Sequence, residues 1–119
     1  MNKNIFTENA PAPVGPYSQA VLSGNTLYCS GQIAIGFLDC DVMTQTEKIC
    51  ENIEKILAAA GMQLSDVVKT MCFLADMKDF AEFNKCYEKH FAHRPARSCV
   101  AARDLPKGAL VEVEVISVL

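Results

Sequence analysis

The sequence predicts a two-layer α+β domain in which two helices pack on one face of a mixed β-sheet. Two stretches repeat apolar residues at steps of three and four, as amphipathic helices do. Six shorter runs are rich in apolar residues and bounded by turn residues, as strands are. The resulting element order is β-β-β-α-β-α-β-β. A chain of 119 residues can bury one hydrophobic core but not two, so we expect a single domain spanning residues 1–119.

The first half of the chain predicts three strands and a helix. We expect strands at residues 4–8, 17–22 and 26–30, with Ser23-Gly24-Asn25 as a hairpin turn between the last two. Residues 39–41 offer N-caps for the helix that follows. Gly61 stands at the position where helices commonly end in a left-handed residue. The helix is therefore predicted to end at about residue 60.

The second half predicts a covered central strand and a second helix. Residues 67–74 are apolar on both faces apart from Lys69 and Thr70, which is typical of a strand buried on both sides. We expect Val67, Met71 and Phe73 to face a partner subunit. A second helix is predicted to begin near residues 77–79 and to end by residue 94, before a proline.

Composition argues against several classes of partner. The net charge is −3 and the basic residues are scattered, which makes nucleic acid a poor electrostatic partner. No apolar run approaches the ~20 residues of a membrane span, and the first residues lack the apolar core of a signal peptide. The six cysteines include no C-x-x-C pair and are interpreted as free thiols. We therefore expect a cytoplasmic protein without a membrane partner.

An arginine and two glutamates near the C-terminus are the main candidates for chemistry. The planar fork of Arg97 can bind a small carboxylate through two hydrogen bonds. Glu112 and Glu114 lie two residues apart and share one face of the last predicted strand. From these residues alone, an Arg–Glu ion pair on an exposed sheet face is an equally good interpretation.

Two further arrangements have both a chemical and a structural interpretation. A cation close to Cys99 would lower its pKa and activate the thiol, but no histidine is near in sequence, and a buried inert thiol is favoured. Cys86, His90 and His93 are spaced to place three metal ligands along one helical face. No fourth ligand is apparent, so we predict no metal and no other cofactor.

Several motifs, collinear over nearly the whole chain, resemble the reactive intermediate deaminase family (Rid, also called YjgF). They are Gly15-Pro16-Tyr17-Ser18-Gln19-Ala20, Ser30-Gly31-Gln32-Ile33, residues 67–74, Asp79-Phe80 with Asn84 and Tyr87, Pro95-Ala96-Arg97-Ser98, and Leu105-Pro106 with residues 111–114. The resemblance implies a chorismate-mutase-like fold and a homotrimer with sites between subunits. It also implies hydrolysis of reactive 2-enamino and 2-imino acids to 2-keto acids and ammonia.

Site residues follow from the same resemblance. It implies that Arg97 binds the substrate carboxylate and that Glu114, with the backbone carbonyl of Cys99, holds the attacking water. Three more residues would line the cleft around the backbone of Gly31, namely Tyr17 as a proton-transfer candidate, Ser30 and Asn84. From the residues alone, Tyr17 also fits a turn anchor, Ser30 a small strand-end residue and Asn84 a buried amide.

The sequence departs from the family pattern at two places. The segment between Gln32 and the first helix is short and lacks the usual hairpin, and Ala101 stands where a glutamate is common. Imine hydrolysis needs a carboxylate clamp, a positioned water and a proton source, but no metal or covalent nucleophile. A non-catalytic module that binds small carboxylates remains the alternative. A ribonuclease or translation inhibitor is disfavoured, because the chain has no basic stripe and no histidine pair suited to phosphodiester cleavage.

Overall fold

A computed structural model describes residues 1–119 as one six-stranded mixed sheet covered on one face by two helices. The strands are β1 (Asn2–Ile5), β2 (Ala20–Ser23), β3 (Thr26–Cys29), β4 (Val67–Leu74), β5 (Ala96–Ala101) and β6 (Val111–Val118), and the helices are α1 (Val42–Ala59) and α2 (Phe80–His90). The strand order is β1-β2-β3-β6-β4-β5, and only β4 and β5 pair in parallel. The predicted fold class and element order are therefore confirmed. No helix is long and apolar enough to cross a membrane.

Local sequence signals account for both ends of α1. The Asp41 side chain accepts a hydrogen bond from the Thr44 amide at 2.8 Å and so caps the first turn. Beyond the last turn, Gly61 adopts a φ of +74°, which a residue with a side chain rarely tolerates. The helix thus begins and ends where the sequence predicts.

The core lies between the helices and one face of the sheet. Apolar residues of α1 meet alternate residues of the central strands there, so that Val111, Val113 and Val115 of β6 are all buried. The residues between them, Glu112 and Glu114, lie on the outer face, away from the helices. The two glutamates therefore share a face, as the period-two pattern predicts.

The prediction for Val67 was wrong, and a β-bulge explains why. The pairing of β4 with β6 shifts register between Val67 and Lys69. Val67 is consequently buried in the core on the helix side, whereas Met71 and Phe73 lie half-buried on the outer face. The strand lies inside the sheet, between β6 and the edge strand β5, and within one chain only one of its faces is covered. Val68 remains 48% exposed.

Two buried glutamines hold the irregular segments in place. Gln45 of α1 donates to the carbonyls of Leu38 and Cys40 and accepts from the Leu110 amide, which fixes the short segment after Gln32 against the start of β6. Gln19 accepts from the Thr7 amide and donates to the carbonyls of Thr7 and Pro11. Because these bonds turn the chain at Thr7, β1 ends at Ile5 rather than at the predicted residue 8.

Candidate functional site

The larger cleft, of about 470 Å³, lies between the N-terminal segment and the beginning of β6. We call it the Tyr17 cleft. Its lining includes three polar side chains, those of Tyr17, Ser30 and Glu112, and the glycine Gly31, which lets other groups approach its backbone closely. Tyr17, Ser30 and Gly31 are sequence-predicted site residues, and the structure brings these together.

Glu112 is the carboxylate of the Tyr17 cleft. Its side chain lies directly against Gly31, and a Cβ atom at residue 31 would overlap the carboxylate. Partial burial, and secondarily the negative charge of Glu114, raises the pKa of Glu112 above its ordinary value. Glu114 itself does not line the cleft. The resemblance implied that Glu114 holds the water. Glu112 and Glu114 differ in position because the Ser30-Gly31 segment packs over β6 beside Glu112.

The hydroxyl groups of Tyr17 and Ser30 are both tied to the backbone. The Val14 amide donates to the Tyr17 oxygen at 3.2 Å, so Tyr17 also anchors its turn. The hydroxyl proton of Tyr17 is left free by this bond. Ser30 donates to the Ser18 carbonyl at 2.6 Å, which leaves its oxygen as an acceptor toward the cleft. Gln19, which is 1% exposed and also lines this cleft, was not assigned a site role in the sequence analysis.

The smaller cleft, of about 370 Å³, lies on the helix side of the sheet beside β5. We call it the Arg97 cleft. It is lined by Asn84, Tyr87, Glu88, Phe91, Arg94, Pro95 and Arg97. Two predicted site residues, Arg97 and Asn84, therefore lie together here and not in the Tyr17 cleft.

Arg97 has no carboxylate partner. Its Nη1 atom donates to Asn84 Oδ1 at 2.8 Å, and its guanidinium carbon lies 4.8 Å from the centre of the Tyr87 ring and 5.5 Å from that of Phe80. The ion pairs of the chain do not include Arg97. The interpretation of Arg97 as half of an exposed Arg–Glu ion pair is therefore wrong. A guanidinium fixed by an amide and aromatic rings retains N–H groups for an anion.

The two clefts lie on opposite faces of the sheet. Arg97 pairs with Thr70, whose side chain is buried on the helix side, whereas Glu112 pairs with Phe73 on the outer face. Strand β4 also separates β5 from β6, which adds two strand spacings of about 4.8 Å each. One small substrate cannot touch both side chains within a single chain.

Cys99 lies on β5 two residues after Arg97. Burial raises the pKa of its thiol, and the nearby Arg97 only partly opposes this effect. The inert-thiol interpretation thus agrees with the electrostatics better than an activated nucleophile does. The Ala102 amide bonds the Leu74 carbonyl of β4, and backbone groups alternate in direction along a strand. The carbonyl of Cys99 consequently points to the free edge of the sheet.

The trio of Cys86, His90 and His93, whose spacing fits metal ligands but for which no metal was predicted, does not come together. His93 Nε2 lies 2.9 Å from the carbonyl oxygen of Val67 in β4. Instead, Glu47 of α1 approaches Cys86 and His90 of α2. Sequence spacing could not indicate this third donor, because it comes from a different helix.

Comparisons with known proteins agree with the fold and the motifs. The family model described as Endoribonuclease L-PSP matches residues 7–119. The RutC family protein PH0854 of Pyrococcus horikoshii is 46% identical over 123 residues, covering 98% of each chain. The 2-iminobutanoate/2-iminopropanoate deaminase of Escherichia coli K12 is 44% identical over 126 residues, covering 99% of this chain and 98% of the relative. The crystal structure of the YjgF gene product from E. coli is similar with a TM-score of 0.92 at 43% identity, covering 98% of both chains. The chain therefore belongs to the endoribonuclease L-PSP family, which is the YjgF/Rid/RutC family that its motifs resemble.

Proposed function

We propose that this protein hydrolyses reactive 2-enamino and 2-imino acids, such as 2-aminoacrylate, 2-iminopropanoate and 2-iminobutanoate, to 2-keto acids and ammonia. The observation that carries the proposal is the half-buried Arg97, whose guanidinium has an amide and three rings around it and no carboxylate. A substrate carboxylate would supply the missing anion through two charge-assisted hydrogen bonds. The name of the 44% identical relative from E. coli supports the same reaction.

We further propose that the active site forms between subunits of a homotrimer. Each chain carries two half-sites on opposite faces of the sheet, and neither contains the full set of predicted groups. The outer face presents the half-buried Met71 and Phe73 beside the two glutamates, a surface that a neighbouring copy would cover. The free edge of β5 would then bring Arg97 and the carbonyl of Cys99 to the Tyr17 cleft of the neighbour.

The reaction in this shared site needs only groups that the two half-sites supply. A water molecule held by Glu112 and the Cys99 carbonyl adds its oxygen to the imine carbon, and Glu112 takes the proton. Tyr17 delivers one proton to the nitrogen, and the protonated Glu112 delivers a second, so that the nitrogen leaves as ammonia when the C–N bond breaks. The hydroxyl proton returns to Tyr17 as the C=O bond forms. An enamine substrate is first protonated on carbon to give the imine. We assign the water-holding role to Glu112 rather than to Glu114, because Glu112 lies beside Ser30 and Gly31.

A matched pair of variants tests the assignment. An amino-acid oxidase generates the imine, and keto-acid release is followed with the wild type, Glu112→Gln and Glu114→Gln. Loss of a general base costs typically 10²–10⁴-fold, so Glu112→Gln should lose about that much of kcat. Glu114→Gln should keep most of the activity at neutral pH. If Glu114→Gln lost more activity than Glu112→Gln, Glu114 would be the residue that holds the water. An inactive wild type would contradict the proposed deaminase activity.

The alternative that an inactive wild type would favour is a module that binds small carboxylates through Arg97 without turnover. Binding of a 2-keto acid by calorimetry, lost in Arg97→Ala, would support it. The family description mentions an endoribonuclease, but the two histidines of this chain contact Glu47 and the Val67 carbonyl and do not form a pair. The six unpaired cysteines support action in a reducing compartment such as the cytoplasm.

A further inference from the structure

Three side chains with metal-binding atoms converge between α1 and α2, away from both clefts. Glu47 comes from α1, while Cys86 and His90 come from α2 at positions i and i+4, which places them on one face of that helix. The carboxylate oxygen, the sulfur and the imidazole nitrogen all lie within 4.8 Å of one another. Asn84 of the Arg97 cleft precedes Cys86 by two residues, so its side chain projects about 200° away around the helix.

The polar atoms of this cluster lie close together but do not form good hydrogen bonds with one another. His90 Nε2 lies 2.6 Å from a carboxylate oxygen of Glu47. The contact is an ion pair only when the imidazole is protonated, and it is not aligned as a hydrogen bond, so this buried nitrogen has no hydrogen-bond partner. The sulfur of Cys86 makes only a weak contact, 3.8 Å long, to the other Glu47 oxygen. A buried polar atom without a partner is uncommon and often marks an ion or water.

We propose that Glu47, Cys86 and His90 form a zinc site that joins α1 to α2. Sulfur, imidazole nitrogen and carboxylate oxygen are the zinc ligands of proteins, at roughly 2.3, 2.0–2.1 and 2.0–2.2 Å. Tetrahedral angles at those lengths place the ligand atoms about 3.3–3.6 Å apart. The nitrogen lies 2.6 Å from one Glu47 oxygen and the sulfur lies 3.8 Å from the other, and the three donor atoms are all within 4.8 Å of one another. Side-chain movements on the order of 1 Å would therefore bring the donors to zinc-binding distances.

Charge and exposure also fit zinc. A thiolate and a carboxylate together neutralise the two positive charges of the ion, with neutral imidazole as the third ligand. Cys86 is buried, while the Glu47 and His90 side chains are 40% and 20% exposed, so a water molecule can reach the fourth position. Because the thiolate and not the thiol binds zinc, the ion must displace the thiol proton of Cys86. The site would stabilise the helix layer and takes no part in imine hydrolysis.

The test is a zinc titration of the 119-residue protein against a chromophoric chelator, with zinc content measured after dialysis. We expect one zinc ion per chain in the wild type, and a melting temperature that rises with zinc concentration because only the folded chain presents all three ligands. Cobalt(II) in place of zinc should give a sulfur-to-cobalt charge-transfer band. Cys86→Ser, His90→Gln and Glu47→Gln should each weaken binding at least as much as the roughly 10–100-fold cost of losing an outer-shell partner.

Two matched controls separate this site from other thiols and histidines. Cys40→Ser removes a half-exposed thiol flanked by Asp39 and Asp41, and His93→Asn removes the other histidine. Neither change should alter zinc affinity or the cobalt band. The proposal is overturned if the wild type retains no zinc, or if binding survives Cys86→Ser. It is equally overturned if zinc binding is lost in Cys40→Ser. Because the side chains of Glu47 and His90 are partly exposed, Glu47→Gln and His90→Gln should fold. If Cys86→Ser does not fold, zinc binding by these two variants decides the question.

Discussion

Mixing two inactive variants would show whether each active site is shared between two copies of the chain. Arg97→Ala removes the cation of the Arg97 cleft, and Glu112→Gln removes the carboxylate of the Tyr17 cleft. Every site in either pure variant then contains one damaged half. In a mixed assembly, some interfaces join an intact Arg97 from one subunit to an intact Glu112 from its neighbour.

The expected recovery follows from the separation of the half-sites. With equal amounts of the two variants and random assembly, the Arg97 half is intact with a probability of one half, and so is the Glu112 half. About one quarter of all sites are therefore intact, whatever the number of subunits in a closed ring. Each pure variant should retain about 1% of the activity or less, since a general base contributes 10²–10⁴-fold and two charge-assisted hydrogen bonds are together worth about 3 kcal/mol. Mixing should thus raise activity from about 1% to about 25% of the wild type.

The assay is keto-acid release per chain after the two variants have been denatured together and refolded. Wild type mixed with the Arg97→Ala/Glu112→Gln double variant serves as the control for exchange. That mixture should have half of the wild-type activity before refolding and about one quarter afterwards. If the control falls to a quarter while the two single variants gain nothing on mixing, the shared site is refuted.

The other predictions concern the same two clefts. Arg97→Lys keeps the charge but loses the fork, and two charge-assisted hydrogen bonds are together worth about 3 kcal/mol, so kcat/KM should fall roughly a hundredfold. Loss of the hydrogen bond from Arg97 to Asn84 should also lower the melting temperature slightly. Arg103 is fully exposed, so the control variant Arg103→Lys should change neither kcat/KM nor the melting temperature. Because the charge of Glu114 raises the pKa of Glu112, Glu114→Gln should move the acid limb of the pH–rate profile to lower pH; an unmoved limb would contradict the coupling. Cys99→Ser should retain most activity in the imine assay, since only its carbonyl is assigned a role, and complete loss would instead indicate covalent catalysis.

Local sequence signals predicted the elements because caps, turns and periodicity act over a few residues. The ends of α1 depend on Asp41 and Gly61, which are adjacent to the helix they limit. Strand ends were predicted less well where a distant side chain intervenes. Strand β2 begins at Ala20 rather than at residue 17, because the Tyr17 amide bonds the Gly15 carbonyl in a tight turn and Gln19 is committed to the N-terminal segment.

The sequence by itself determined the α+β class, the order of the elements and the placement of Glu112 and Glu114 on one face, because these follow from short-range periodicity and chain connectivity. Only the tertiary structure decided which of the two glutamates lines the same cleft as Tyr17, since that depends on how the Ser30-Gly31 backbone packs over β6. The sequence pattern also could not predict that Arg97 and Glu112 lie on opposite faces of the sheet. Period-two alternation identifies residues that share a face within one strand, but strand order and register determine which faces of different strands coincide.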